Sequence, residues 1–423
     1  MFNYSWEAII YTYKRKKTTY QYVLLMFLTF LSFPGFLSNI GLAGSHSEGM
    51  LFSVIPLTLV ILASGRWMPI SKYQFNISLS IFAIILLHFL LVVLMGSFNN
   101  SIFFIALNRF ILSFVLFMVI LWSAFQFVRY FSSLEQSEFC KMINTIYWLF
   151  VVIAFLSIPF HFFDWVSRKQ MLIFSEPSHF SIIFSSFFLF KMFTSKHRYK
   201  HLLICLSLVI LLQNVTLLAI ACLGLIISVK NYNIFRILGI FLLLSTFVFF
   251  TLLFSNYFSF FIERLSISSK SDNLSVLIFL SGYERAYLTL LDSYFVGVGF
   301  QQMGIIGPLG EFQKIIMQIT MDGTMNTMDG GTLFSKLVTE FGILGIIVIL
   351  AYVIKFIGVF GVRNILLPGD FKMIFYSVSF LSCAVLIFVR AVNYFSPSTF
   401  LFLIALIGLS KFNIFTNSKK INS

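Results

Sequence analysis

The stretch Lys14-Arg15-Lys16-Lys17-Thr18-Thr19-Tyr20-Gln21-Tyr22-Val23-Leu24-Leu25-Met26-Phe27 decides the fold. A block of cations gives way to an apolar run from about Tyr20 to Ile40. A helix needs about 20 apolar residues to cross the hydrocarbon core of a bilayer, and this run has them. It is longer than the roughly 7–15 residues of a signal-peptide core, so it reads as an uncleaved signal anchor with its cations on the cytoplasmic side.

The same pattern recurs through all 423 residues, of which 59% are hydrophobic, 10% charged and 57 are Phe. The fold class expected is an all-α polytopic integral membrane protein. Spans fall at roughly 20–40, 50–65, 77–95, 102–127, 142–160, 178–194, 201–212, 214–229, 234–254, 333–353, 372–389 and 397–411, about twelve transmembrane helices in all. The stretch 201–229 reads either as one long helix or as two short ones broken near Gln213-Asn214. Two short helices keep Lys355, Arg363, Lys372 and Lys419-Lys420 cytoplasmic, so positive-inside charge favours two, with both termini inside. The organisation is then a membrane bundle over 1–254, a long outer loop over 255–332 and a second bundle over 333–423. The net charge of +14 invites a nucleic-acid reading, but most of the basic residues lie between spans on the cytoplasmic side of the bilayer, which sets that reading aside. Cys140, Cys205, Cys222 and Cys383 have no paired spacing, so neither a disulfide framework nor a zinc site is expected.

The outer segment 255–332 has its own periodicity. Leu274 to Tyr294 reads as an amphipathic helix carrying Glu284 and Arg285, and Phe312, Ile315, Ile316 and Ile319 mark the apolar face of a second, shorter one. The turns Gly297-Val298-Gly299 and Asp329-Gly330-Gly331 punctuate it.

Few ionisable groups sit near membrane depth, and each is a functional candidate by cost alone. Glu176-Pro177-Ser178-His179 opens the sixth span, with Pro177 suited to a first helical turn. Glu176 has two readings: a carboxylate capping the positive helix end, or a chemical group. Arg390 ends the eleventh span, with Asn393, Tyr394, Ser396 and Pro397 behind it; it reads either as a snorkelling cation or as the wall of a small outer pocket. Arg285 reads as part of a solvated helix face or of a site. Arg109, about eight residues into its span, lies at the depth of His88; structural pairing and substrate binding are both open. Arg168 and Lys169 lie in the outer loop 164–174. No Asp-x-Asp pair, phosphate-binding glycine loop or His-Glu-x-x-His is present, so neither a metal nor a cofactor is expected. Arginines suit diphosphate through bidentate charge-assisted bonds, and outer-face arginines with one glutamate point to lipid-linked intermediates.

Four stretches together resemble the bacterial O-antigen polymerases: Ser175-Glu176-Pro177-Ser178-His179-Phe180; Tyr283-Glu284-Arg285 with Gly297-Val298-Gly299-Phe300; Leu333-Phe334-Ser335-Lys336-Leu337-Val338-Thr339-Glu340-Phe341-Gly342-Ile343-Leu344-Gly345; and Phe388-Val389-Arg390 with Tyr394-Phe395-Ser396-Pro397. The resemblance covers roughly residues 140–410. It implies glycosyl transfer between undecaprenyl-diphosphate-linked repeat units, a donor and an acceptor, at the periplasmic face of the inner membrane, with undecaprenyl diphosphate leaving. Glu176, Arg390 and Arg285 would be the catalytic residues, with His179, Arg168, Arg109, Tyr394 and Asn393 binding substrate. A chain-length regulator is an implied partner beside the lipid bilayer. The related O-antigen ligases usually carry a histidine in the long loop, whereas His46, His88, His161, His179, His197 and His201 all lie outside 255–332. A lipid-linked oligosaccharide flippase is the reading from another class, and the single long loop stands against it.

Overall fold

The computed structural model describes residues 6–44, 46–63, 71–98, 106–162, 171–228, 261, 263–264, 273–322, 326–361, 370–390 and 393–421. Arg168, Lys169 and the expected span 234–254 lie outside the described residues. Within them are fourteen helices: α1 (Trp6–Asn39), α2 (His46–Ala63), α3 (Lys72–Phe98), α4 (Leu107–Ser133), α5 (Gln136–Phe162), α6 (Pro177–Thr194), α7 (Arg198–Leu211), α8 (Val215–Ser228), α9 (Leu274–Asp292), α10 (Glu311–Thr320), α11 (Leu333–Phe341), α12 (Ile343–Gly361), α13 (Phe371–Phe388) and α14 (Pro397–Ile421). Among the described residues seven helices are long and apolar enough to cross a membrane, and shorter apolar ones lie at 47–59, 215–227 and 397–410. One of the seven is Leu274–Asp292, which the sequence places in the outer loop. No strand forms among the described residues, only an isolated bridge between Met303 and Ile306.

The centre of the bundle is the pair α6 and α13, with α14 and α8 packed beside them. About three quarters of α13 is buried (72%), against 22% of α12, so α13 is a core helix and α12 a peripheral one. The open face of α12 carries Ile343, Ile347, Leu350, Ile354 and Ile357, all exposed. A continuous apolar face of this kind fits contact with lipid. Helices α6 and α13 run antiparallel. Phe187 packs on Phe375 at 5.7 Å and Phe190 on Phe371 at 6.4 Å, while Ser186 Oγ meets Ser382 Oγ at 3.3 Å. From that serine pair Glu176 lies ten residues back along the chain and Arg390 eight residues on, roughly 15 Å and 12 Å at helical rise. The packing register therefore brings position 176 to position 390.

One helix boundary differs in kind from the sequence reading, and the expected break near Gln213-Asn214 is present. The stretch expected as one span over 333–353 is two helices, hinged at Gly342 with φ +57°. A Cβ there would run into the carbonyl of Phe295, so only glycine lets the loop come this close. The 295–299 loop is stitched to the hinge by Ile343 N–H to Phe295 O at 2.8 Å, Val298 N–H to Thr339 O at 3.0 Å and Gly299 N–H to Glu340 O at 2.8 Å. Along 201–229, two 14-residue helices meet at Gln213, which has φ +45°. Asn214 fixes that turn: its Oδ1 caps Leu217 N–H at 3.1 Å, and its Nδ2 donates to Ser181 Oγ at 2.9 Å, one turn inside α6.

Candidate functional site

Pro177 starts α6, and Glu176 holds the N-cap position with extended backbone (φ −145°, ψ 151°). Its side chain makes no capping hydrogen bond. Instead, Glu176 Oε2 accepts from Ser178 Oγ at 2.9 Å and from Arg390 Nη2 at 3.3 Å. Arg390 arrives at the end of α13, where its N–H bonds Val385 O at 2.9 Å. The pair is partly open, with side chains 25% (Arg390) and 35% (Glu176) exposed. At 3.3 Å it is also looser than the roughly 2.7–2.9 Å of a tight charge-assisted bond, so a ligand could enter between the partners. His179, half-buried, bonds Ser175 Oγ through Nδ1 at 2.7 Å, one turn along the same helix mouth.

A third charge belongs to this cluster and the sequence reading missed it. Arg264 feels burial first, then the Arg390 guanidinium, and both lower its proton affinity; Glu176 and Glu263 act the other way. Phe261, one helical turn earlier, is buried in the main core and brings this segment to the bundle. Two arginines thus converge on one glutamate. In the sequence Glu263-Arg264 lies in the outer segment 255–332 and belongs to no motif that marks it.

The other loop residues form a second, buried centre. Tyr283 donates to Phe388 O at 3.2 Å and stacks on Phe334 at 5.2 Å, tying α9 to the end of α13. Glu284 caps α10, accepting from Glu311 N–H at 2.9 Å and Phe312 N–H at 3.0 Å. Arg285 is buried and bonds Thr327 O at 2.7 Å, with Ile306 O at 3.5 Å. Its electrostatic partner is Glu340 rather than Glu176. Glu340 is fully buried on α11, with Lys336 Nζ at 3.9 Å and the Arg109 charge nearby. Burial pushes the Glu340 carboxyl up, against the opposing pull of Lys336, the Gln301 backbone, Tyr394 and Arg109. Tyr394 puts its hydroxyl beside that carboxylate without closing a well-shaped hydrogen bond, and the Lys336 ammonium lies 5.3 Å from its ring centre. Burial and the Glu340 charge raise the Tyr394 hydroxyl.

Arg109 sits in the first turn of α4, which begins at Leu107, and not eight residues into a helix. It faces Glu340 and Asp329, while His88 bonds Val296 O through Nε2 at 2.9 Å and packs on Phe341. Each thus has its own partner on the loop and hinge. Asn393 holds a turn: its Nδ2 donates to Ser47 Oγ at 2.8 Å and its Oδ1 accepts from Phe395 N–H at 2.8 Å. Of the expected residues, Glu176, His179 and Arg390 share one partly open mouth. Arg285, Arg109 and Tyr394 share the buried Glu340 centre beneath the loop. Among the described residues no group of His, Cys, Asp and Glu could hold a metal ion. No family model, curated protein or solved structure matches this chain.

Proposed function

We propose that this chain is an O-antigen polymerase of the bacterial inner membrane. In this reading it crosses the bilayer about twelve times, keeps both termini cytoplasmic and presents 255–332 to the periplasm. A growing glycan on undecaprenyl diphosphate passes to the terminal hydroxyl of a second lipid-linked repeat unit. The bond from the anomeric carbon to diphosphate breaks, a glycosidic bond forms, and undecaprenyl diphosphate departs.

The observation that supports the reading is the open mouth where Glu176 meets Arg390 with Arg264 alongside. Glu176 accepts or orients the acceptor hydroxyl, a role worth roughly 10²–10⁴-fold in rate for a positioned base. Arg390 and Arg264 stabilise charge on the departing diphosphate. His179 steadies the acceptor side. Arg285, Arg109, Tyr394 and Asn393 act one layer further in, holding the loop and helix ends that carry those groups. Arg168 belongs to the segment before this mouth. The donor, the acceptor, the bilayer and a chain-length regulator are the partners. Deleting the gene and running surface lipopolysaccharide on a gel tests the reading: the ladder is lost while a single repeat unit remains. Loss of every repeat with polymer left on the carrier indicates a ligase. Single lipid-linked units trapped in the inner leaflet indicate a flippase.

A further inference from the structure

Away from that mouth, a cavity of about 460 Å³ opens between α5 and α7. At one end stand Lys196, His197 and Lys200, all exposed; at the other stand Leu203, Ile204 and Phe155. The order is the same along both helices. On α7 the step from Lys200 to Ser207 is about 10 Å at 1.5 Å per residue. On α5, Lys200 Nζ sits 5.7 Å from the Trp148 ring centre, and Phe155 lies seven residues, again about 10 Å, further on. The groove therefore passes from cations to hydrocarbon in one direction. Trp148 and the exposed Tyr199 mark its cationic end as interfacial, since such aromatics favour the headgroup level.

We infer that this groove binds an anionic glycerophospholipid, its phosphate between Lys196 and Lys200 and an acyl chain along Leu203, Ile204 and Phe155. A free phosphate would use only the cationic end and leave the apolar wall uncovered. A zwitterionic lipid would fill the wall but bring a cation of its own beside the two ammonium groups, which repel it. The inference does not depend on the reaction carried out at the other site.

The test is native mass spectrometry of the full chain in detergent, titrated with phosphatidylglycerol or phosphatidylcholine of identical acyl chains. The wild type retains phosphatidylglycerol preferentially. Each lysine near a lipid surface contributes about 1 kcal/mol, so Lys196→Ala and Lys200→Ala each lower phosphatidylglycerol retention roughly fivefold, and the pair together abolishes the preference. Ser207→Phe, which blocks the apolar end, weakens both lipids. Lys314→Ala, on an exposed lysine elsewhere, leaves the preference intact. Equal retention of the two lipids by the wild type overturns the inference. So does a double variant that behaves as wild type, a loss at Lys314→Ala as large as at Lys200→Ala, or displacement of the lipid by equimolar inorganic phosphate.

Discussion

Arg390 Nη2 lies 3.3 Å from Glu176 Oε2, although 214 positions separate the two residues in sequence. The antiparallel register of α6 and α13 creates this contact. A partly exposed pair of this kind contributes only about 0.2–1 kcal/mol to stability. Removing it should therefore leave the fold intact while altering whatever the mouth does. Glu176→Gln keeps the volume of the side chain and removes its charge. Polymer-forming activity should fall by roughly 10²-fold or more, with the level of protein in the membrane unchanged. Immunoblots beside surface-glycan gels separate the two effects.

Arg390→Lys keeps a positive charge and loses the planar fork. A diphosphate held by two parallel N–H bonds notices that loss. Arg390→Lys should retain a shortened ladder, whereas Arg390→Ala should give none. A full-length ladder from Arg390→Lys would mean that bulk charge, not bidentate geometry, is what the site uses. Arg264→Lys is expected to follow Arg390→Lys, because in the proposed reaction the two guanidiniums serve one diphosphate.

The hinge at Gly342 supplies a stability prediction. Left-handed backbone costs an ordinary residue about 1–3 kcal/mol, and a Cβ here also collides with Phe295 and Val296. Gly342→Ala should lower the thermal midpoint of the detergent-solubilised protein by several degrees or prevent its accumulation. Gly358→Ala, with nothing within 4 Å of the new methyl, should leave the midpoint unchanged or slightly raised.

Glu340 gives a pH signature. Its carboxyl titrates above the ordinary value of 4.5 because burial disfavours the charged form. The folded state thus holds this proton more tightly than the unfolded chain does. The stability it contributes is complete below 4.5 and is lost as pH rises through the raised folded value. Glu340→Gln should flatten that part of the curve of thermal midpoint against pH. Glu340→Ala should be worse still, because it also empties buried volume that glutamine fills.

What the sequence makes legible is local. The apolar runs and the proline start of α6 follow from hydropathy and turn chemistry within a few residues, and the charge of the later loops selects the break at Gln213-Asn214. The hinge at Gly342 was hidden inside an apolar stretch that a window average reads as one span. What makes it a hinge is the approach of Phe295, some 47 positions away, and no local pattern carries that. Arg264 is illegible for the same reason, since nothing near it in the sequence points to Glu176 or Arg390. Arg285 reads as part of a solvated helix face or of a site, yet the fold buries it and uses its neighbour Glu284 to cap α10. Both outcomes depend on how the loop docks, a tertiary fact.

The most direct measurement is release of undecaprenyl diphosphate by the purified chain in liposomes supplied with lipid-diphosphate-linked repeat units. The account predicts one equivalent released for each glycosidic bond formed by the wild type. It predicts little release by Glu176→Gln or Arg390→Ala at matched incorporation. Release by those variants at the wild-type rate, or polymer formed without release, would contradict it.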